Sequence, residues 1–175
     1  MMEATRVPMT EARRSVAVNF ESFFGFEYPR IVGAMYLVTG RAAEAEEVTQ
    51  EALARVFERW ERVQEMASPG AYAYRVAVNV YRRRVRRDRI FLRAVGTVSP
   101  GSDVAESVAE RSALLQGIGV LPRGQREALV LIGFLELSVE EAAQVLGIGP
   151  GSLRSRLSRA RASLRGQLQS EDHHE

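Results

Sequence analysis

The 175-residue chain is 46% hydrophobic and 26% charged, the balance of a globular protein with room for one compact domain or two small helical ones. It has no Cys, and both His residues, His173 and His174, lie in an acidic tail. Disulfides, thiolate metal sites and cysteine nucleophiles are thereby excluded, and a histidine base or His-ligated metal has no fold to position it, so neither a cofactor nor an enzyme reaction is expected. No apolar run approaches the roughly 20 residues of a membrane-spanning helix, and the N-terminus MMEATRVPMTEARR lacks a signal-peptide core, so a cytoplasmic protein without membrane insertion is expected.

The net charge of +2 conceals a segregation. Residues 1–66 carry 8 Arg and 11 acids, residues 67–95 carry 8 Arg and 1 acid, and residues 96–150 carry 3 Arg and 7 acids. Residues 151–169 then carry 5 Arg and no acid, before an acidic end. Every one of the 24 basic residues is Arg, a group suited to bidentate contact with phosphate and guanine.

Helical periodicity runs through most of the chain and strand signals are nearly absent. Val16 to Val38 reads as one or two helices, with a break or kink near Pro29 and a stop at Gly40. A helix over Ala42 to Arg62 places Ala45, Val48, Ala52, Leu53, Val56, Phe57 and Trp60 on one face and Glu47, Gln50, Glu51 and Glu58 on the other. Ser68 as N-cap and Pro69 at the first helical position open a third helix, to about Arg93. Residues 96–107, rich in Gly and Ser, read as a linker. Val104 to Val120 and Gln125 to Leu135 follow as helices separated by Pro122 and Gly124. Ser138-Val139-Glu140-Glu141 is a capping box opening a short helix that closes at Gly147, and Gly149-Pro150 restarts a helix almost at once: a helix-turn-helix. The fold class is therefore all-α, two small helical domains joined by a flexible linker. The expected boundaries are 16–95, 96–107 and 108–169, with tails at 1–15 and 170–175 expected to be disordered.

In the last helix Leu153, Leu157, Ala160, Leu164 and Leu168 form an apolar seam, and the other side presents Ser152, Arg154, Ser155, Arg156, Ser158 and Arg159 with no carboxylate. Like charges at i,i+4 repel, and a polyanion facing this side would resolve the repulsion, whereas the bland alternative is an Arg-rich helix that solubilises a bundle. The capped turn before it favours DNA. The third helix groups Tyr72, Arg75, Asn79, Arg82, Arg83, Arg86 and Arg87 on one broad side, with Ala73, Val76, Ala77 and Val80 turned inward. Such a side suits a strand with unstacked bases, although Asn79 could equally cap or bridge helices and the tyrosines could be ordinary core. The acidic stripe Glu47, Gln50, Glu51 and Glu58 is either solvated surface or a docking face for a basic partner.

The segments AEAEEVTQEALARVFERW (43–60), AYAYRVAVNVYRRR (71–84) and LPRGQREALVLIGFLELSVEEAAQVLGIGPGSLRSRLSRARASLR (121–165) resemble the two parts of the extracytoplasmic-function, group IV, sigma factors of bacterial RNA polymerase, within the sigma-70 superfamily. The resemblance implies an alternative sigma factor that binds core RNA polymerase and promoter DNA, both as duplex and as melted non-template strand, with an anti-sigma protein as a further candidate partner and nucleoid association in the holoenzyme. It implies core docking through Glu47, Gln50 and Glu51. It implies downstream-element contacts by Tyr72, Arg75, Asn79, Arg82, Arg83 and Arg86, with Asn79 and the preceding loop receiving a flipped base. It implies upstream-element contacts by Ser152, Arg154, Ser155, Arg156 and Arg159. Three features depart from the pattern: Thr49 stands where an aliphatic residue is usual, the loop Arg62–Gly70 has its own sequence, and Gly149-Pro150-Gly151 is an unusually Gly/Pro-rich helix entry. The rival readings are a conventional helix-turn-helix repressor or activator, and a membrane-surface or scaffold protein using its Arg clusters on anionic lipid. Against the latter, the apolar faces lack the exposed Trp/Phe pattern of an interfacial helix.

Overall fold

The computed structural model describes residues 19–95 and 113–171, with backbone alone at 92–95, 113–114 and 168–171. Helix α1, Phe20–Thr39, is opened by Asn19, whose side-chain oxygen accepts from the Ser22 N–H at 2.8 Å, and is closed by Gly40 in the left-handed region, φ 76°. Of the break or kink expected near Pro29, there is no break: one helix runs through the proline. Pro29 and Gly25, the residue whose carbonyl loses its helical donor, are both exposed, so water can take the place of the missing bond. Phe23, Ile31, Ala34, Met35 and Val38 keep one buried face along the whole helix.

Helix α2, Ala42–Phe57, stops earlier than the periodicity predicts, and a separate turn, α3, spans Trp60–Val63. The bend at Glu58–Arg59 brings the Trp60 ring to 4.8 Å from Phe23 and 5.4 Å from Phe20, so aromatic packing is gained where the helical ladder is interrupted. Thr49 is fully buried, and its hydroxyl donates to the Ala45 carbonyl at 2.7 Å, which makes a hydroxyl tolerable at a core position. Helix α4, Pro69–Val95, is roughly 40 Å long at 1.5 Å per residue. It buries Ala73, Ala77 and Val80 as expected, together with Tyr74 and Val78.

The second half comprises α5, Ala113–Val120; α6, Arg123–Leu129, which passes into a π-helical turn at Val130–Phe134; α7, Val139–Leu146; and α8, Pro150–Glu171. The turn departs from the plain helix expected over Gln125–Leu135: Leu135 N–H bonds the Val130 carbonyl five residues back. Helix α8 runs two residues into the stretch expected as tail. The capping box is complete, since Ser138 accepts from Glu141 N–H while the Glu141 carboxylate takes Ser138 N–H at 2.9 Å, and Gly147 closes α7 at φ 67°. Leu153, Leu157, Ala160 and Leu164 are buried. The linker 96–107, most of both tails, and residues 16–18 and 104–112 of the predicted helices lie outside the described residues.

A buried cluster joins the two halves: Ala128, Val130, Leu131, Leu135 and Leu137 belong to the same apolar core as Ile31, Met35 and Tyr74. Polar contacts cross it. The Arg126 guanidinium donates to the carbonyl of Val38 in the first half at 2.8 Å and to those of Leu121 and Gly119 in its own. Arg82 of α4 meets Glu127 of α6 at 2.7 Å, and Arg30 donates to the Leu135 carbonyl at 3.4 Å. Phe134 lies over Gly33, where a β carbon would meet the ring at 2.9 Å, so only glycine permits this approach. The sequence reading of two modules on a linker did not foresee such a seam.

Candidate nucleic-acid and partner interfaces

On α2, Glu47 and Gln50 are exposed and Glu51 is half-buried. Arg84, from the far side of α4, forks across two of them, donating to Glu47 at 2.8 Å and to Glu51 at 2.7 Å, while Arg55 takes the other Glu51 oxygen at 2.6 Å. The hydrogen bond from Arg84 is the main reason the Glu51 carboxyl is held below its ordinary value, and the nearby Arg55 charge adds to it. Two carboxylates of the stripe, Glu47 and Glu51, are thus held by arginines, while Glu58 is exposed at the bend after α2. Sequence reading missed Arg84 because it lies opposite the basic face of α4 and its partners are 33 and 37 positions away. Phe57, expected in the core, is instead 62% exposed, on the Gln50 side of α2 and 4.8 Å from the Phe20 ring. The bend after α2 explains this, since it turns Trp60 inward in Phe57's place. Phe24, Phe26, Ile90, Phe91 and Phe134 are exposed as well.

Arg75, Asn79, Arg83 and Arg86 recur at i, i+4, i+8 and i+11 along α4 and are all exposed, with Tyr72 half-buried one turn before them. Asn79 makes no side-chain hydrogen bond among the described residues, so it neither caps nor bridges helices there. Arg82 stands apart from this group. Its side chain leans towards the second half, where Glu127, only 1% exposed, receives both Arg82 and Arg123. The neighbouring Tyr81 ring lies under the Arg123 guanidinium, 4.8 Å from its centroid. Beside the start of α4 is a cleft of about 770 Å³ lined by the loop Gln64–Ser68 and the first residues of α4, by Phe23 and Tyr74, and across it by Leu135–Ser138 of the second half. The Glu27 carboxylate faces the first turn of α4 over Gly70, where a β carbon would oblige that carboxylate to shift.

On α8, Ser152, Arg154, Ser155 and Arg159 are exposed. Arg154 lies 3.5 Å from Glu140, both well solvated. Arg156 is the exception: it flanks the leucine seam, is half-buried, and packs beside Gly124 at the start of α6, where a β carbon would come within 3.0 Å of its guanidinium. Among the described residues no helix is long and apolar enough to cross a membrane.

The described residues thus form two helical units, one with exposed acidic and basic helical faces and one with a capped helix-turn-helix. Residues 26–90 match the family model for Sigma-70 region 2, and residues 111–164 that for Sigma-70, region 4. The chain is 35% identical over 159 residues to the RNA polymerase sigma-E factor of Streptomyces coelicolor, covering 89% of each. It is 30% identical to the ECF RNA polymerase sigma factor EcfG of Rhodopseudomonas palustris, covering 75% of each. Among solved structures its fold resembles the sigma factor RpoE of Bartonella quintana, crystallised with the anti-sigma factor NepR, at a TM-score of 0.75 and 22% identity over 86% of this chain and 96% of that one. The protein belongs to the sigma-70 family, among the extracytoplasmic-function sigma factors of RNA polymerase, and is a transcription initiation factor rather than an enzyme or a conventional regulator.

Proposed function

We propose that three faces of this sigma factor divide the work of initiation. Glu47, Gln50 and Glu51 on α2 dock a basic surface of core RNA polymerase, with Arg84 holding two of the carboxylates in place. The α4 face of Arg75, Asn79, Arg83 and Arg86, with Tyr72 and the loop Gln64–Gly70, takes the melted non-template strand at the downstream promoter element: Arg meets phosphate, and Asn79 and the loop receive an unstacked base. Ser152, Arg154, Ser155 and Arg159 on α8 read the upstream element as duplex. Arg82 and Arg156, each engaged inside the protein, serve these surfaces from their edges. On this reading residues 16–95 are the docking and melting unit, 96–107 the connection, and 108–169 the duplex-reading unit.

The observation that carries the reading is the separation of sign by face. An exposed acidic stripe and two exposed basic faces occur on three different helices, and neither basic face takes a carboxylate from its own helix, Glu140 of α7 standing beside Arg154 at the edge of one. Unstacking a base costs a few kcal/mol, and a surface that binds only the unstacked form shifts DNA towards the open state without ATP. The protein would act in the cytoplasm, at the nucleoid once in holoenzyme, and an anti-sigma protein covering these faces would silence it. Run-off transcription with core enzyme and no other sigma factor, on fragmented genomic DNA, tests the reading and yields the promoters. Transcripts should start downstream of a shared pair of elements, and should vanish when Arg75 and Arg83 are both changed to Ala. Unchanged transcription by that variant would refute the assignment of α4.

A further inference from the structure

One exposed apolar residue stands among arginines. Ile90, 58% exposed, follows Arg86 by four residues and Arg83 by seven, so it continues the α4 face of Arg75, Asn79, Arg83 and Arg86 in register. From Arg86 to Phe91 every residue is exposed, and the helix there projects beyond the bundle. Arg86, Arg87 and Arg89 flank Ile90, while Asp88, 3.8 Å from Arg87, leaves the opposite side of the helix.

An aliphatic side chain ringed by guanidinium groups suits no apolar protein groove, which would bury those charges unpaired. It suits a polyanion that offers an apolar group between its phosphates. Double-stranded DNA offers one in the major groove, the C5 methyl of thymine, and that groove, about 12 Å wide, admits a bare helix. A single strand would instead stack its bases on an aromatic ring, which a branched aliphatic chain does not provide. Spacing sets where on the DNA the contact falls. Ile90 lies 11 residues beyond Asn79, about 16 Å along the helix and so about five base pairs along the DNA. The chain continues from this end of α4 towards the duplex-reading unit, which puts Ile90 on the upstream, still-paired side of the melted segment.

We propose that Ile90 is a specificity residue that packs on the thymine methyl of one base pair in the major groove, about five pairs upstream of the base that Asn79 receives, while Arg86, Arg87 and Arg89 hold the flanking phosphates. The proposal rests on the reading that the α4 face binds promoter DNA.

Uracil in place of thymine removes this methyl and nothing else. In a promoter found by run-off, each base pair from about three to seven upstream of the flipped base is set to T·A in either orientation, and each thymine is then exchanged for uracil. Holoenzyme is titrated by fluorescence anisotropy on templates already mismatched at the downstream element, so that melting does not enter. At one position the exchange should weaken binding by the parent about three- to fivefold, the worth of one buried methyl group. Ile90→Ala should weaken binding of the thymine template by a similar factor and make thymine and uracil equivalent there. Phe91→Ala, on the neighbouring side of the helix, should keep the full preference. Since Ile90 is exposed, the thermal melt of the free variant and its assembly with core polymerase should match the parent; weaker assembly would move Ile90 to a protein interface and overturn the proposal. A uracil penalty that survives Ile90→Ala, or no position sensitive to the methyl, would overturn it too. Arg83→Ala distinguishes the two claims. Uniform weakening by that variant with no methyl-sensitive position would remove Ile90 alone, whereas indifference to Arg83 on every template would refute the α4 reading and the proposal with it.

Discussion

Reversing charge on the α2 stripe distinguishes a docking surface from solvated acids, and the structure decides which carboxylate to use. Glu51 receives both Arg55 and Arg84, at 2.6 and 2.7 Å. In Glu51→Arg a third guanidinium stands between two others, and at 4 Å and an effective dielectric of about 20 each like-charge contact costs about 4 kcal/mol before the side chains swing into water. Lost binding by that variant would confound docking with local unfolding. Glu47 has one ion pair and its side chain is 66% exposed, so Glu47→Arg forfeits roughly 0–1 kcal/mol of stability, a melting shift of up to about 4 °C for a chain of this size. Gln50→Arg breaks no ion pair. If a basic polymerase surface faces this stripe, the pair Glu47→Arg with Gln50→Arg places like charges across an interface, at a cost of several kcal/mol, and about 2.7 kcal/mol is already a hundredfold in affinity. Titration of fluorescently labelled protein with core polymerase, beside a thermal melt, reads both quantities. Undiminished binding by a normally melting double variant would return the stripe to solvated surface.

Asn79→Ala should leave thermal stability unchanged, because the side chain is exposed and bonds nothing, yet should lower permanganate-detected opening on a paired promoter; a template already mismatched at the downstream element should recover part of the loss, and normal opening would remove Asn79 from the site. Arg159→Ala should weaken upstream-duplex binding by about 1–3 kcal/mol and relax preference at one base pair, whereas Arg165→Ala should do less; uniform weakening across all sequences in a gel-shift series would make Arg159 a phosphate contact instead. Ser138→Ala removes the reciprocal cap of α7 and should cost about 1 kcal/mol in a denaturant melt, with the weakening felt in duplex binding because α7 supports α8. Because the folded Glu51 carboxyl lies below its ordinary value of 4.5, its stabilising contribution is present above pH 4.5 and lost as pH falls through the lower folded value. Glu51→Gln should therefore flatten that acid limb of the stability curve, and an unchanged limb would contradict the Arg84 bridge.

Much of the architecture is local, and so was legible in the chain. The capping box at Ser138 and Glu141, the left-handed stops at Gly40 and Gly147 and the leucine seam of α8 each involve residues within a turn or two of one another. A hydrogen bond between near neighbours, or an apolar period of 3.6, needs no knowledge of the rest of the fold. The segregation of charge was equally plain, and with it the existence of two basic faces. Periodicity erred where a tertiary partner outweighed it. The aromatic cluster at Phe20 and Phe23 took Trp60 and left Phe57 in solvent.

The sequence by itself determined the helices, their caps and the sign of each face, because these follow from backbone sterics and side chains a few residues apart. Only the tertiary structure decided which charges are free to act. Arg82 and Glu127 are 45 positions apart, Arg84 and Glu51 33 apart, and Arg126 and the Val38 carbonyl 88 apart. A helical wheel gives the direction in which a guanidinium leaves its helix but not what stands there. Of six arginines that look alike along residues 75–87, one is bound to the acidic stripe of α2 and one to the opposite half of the molecule, and that difference arises when two helices distant in sequence pack side by side.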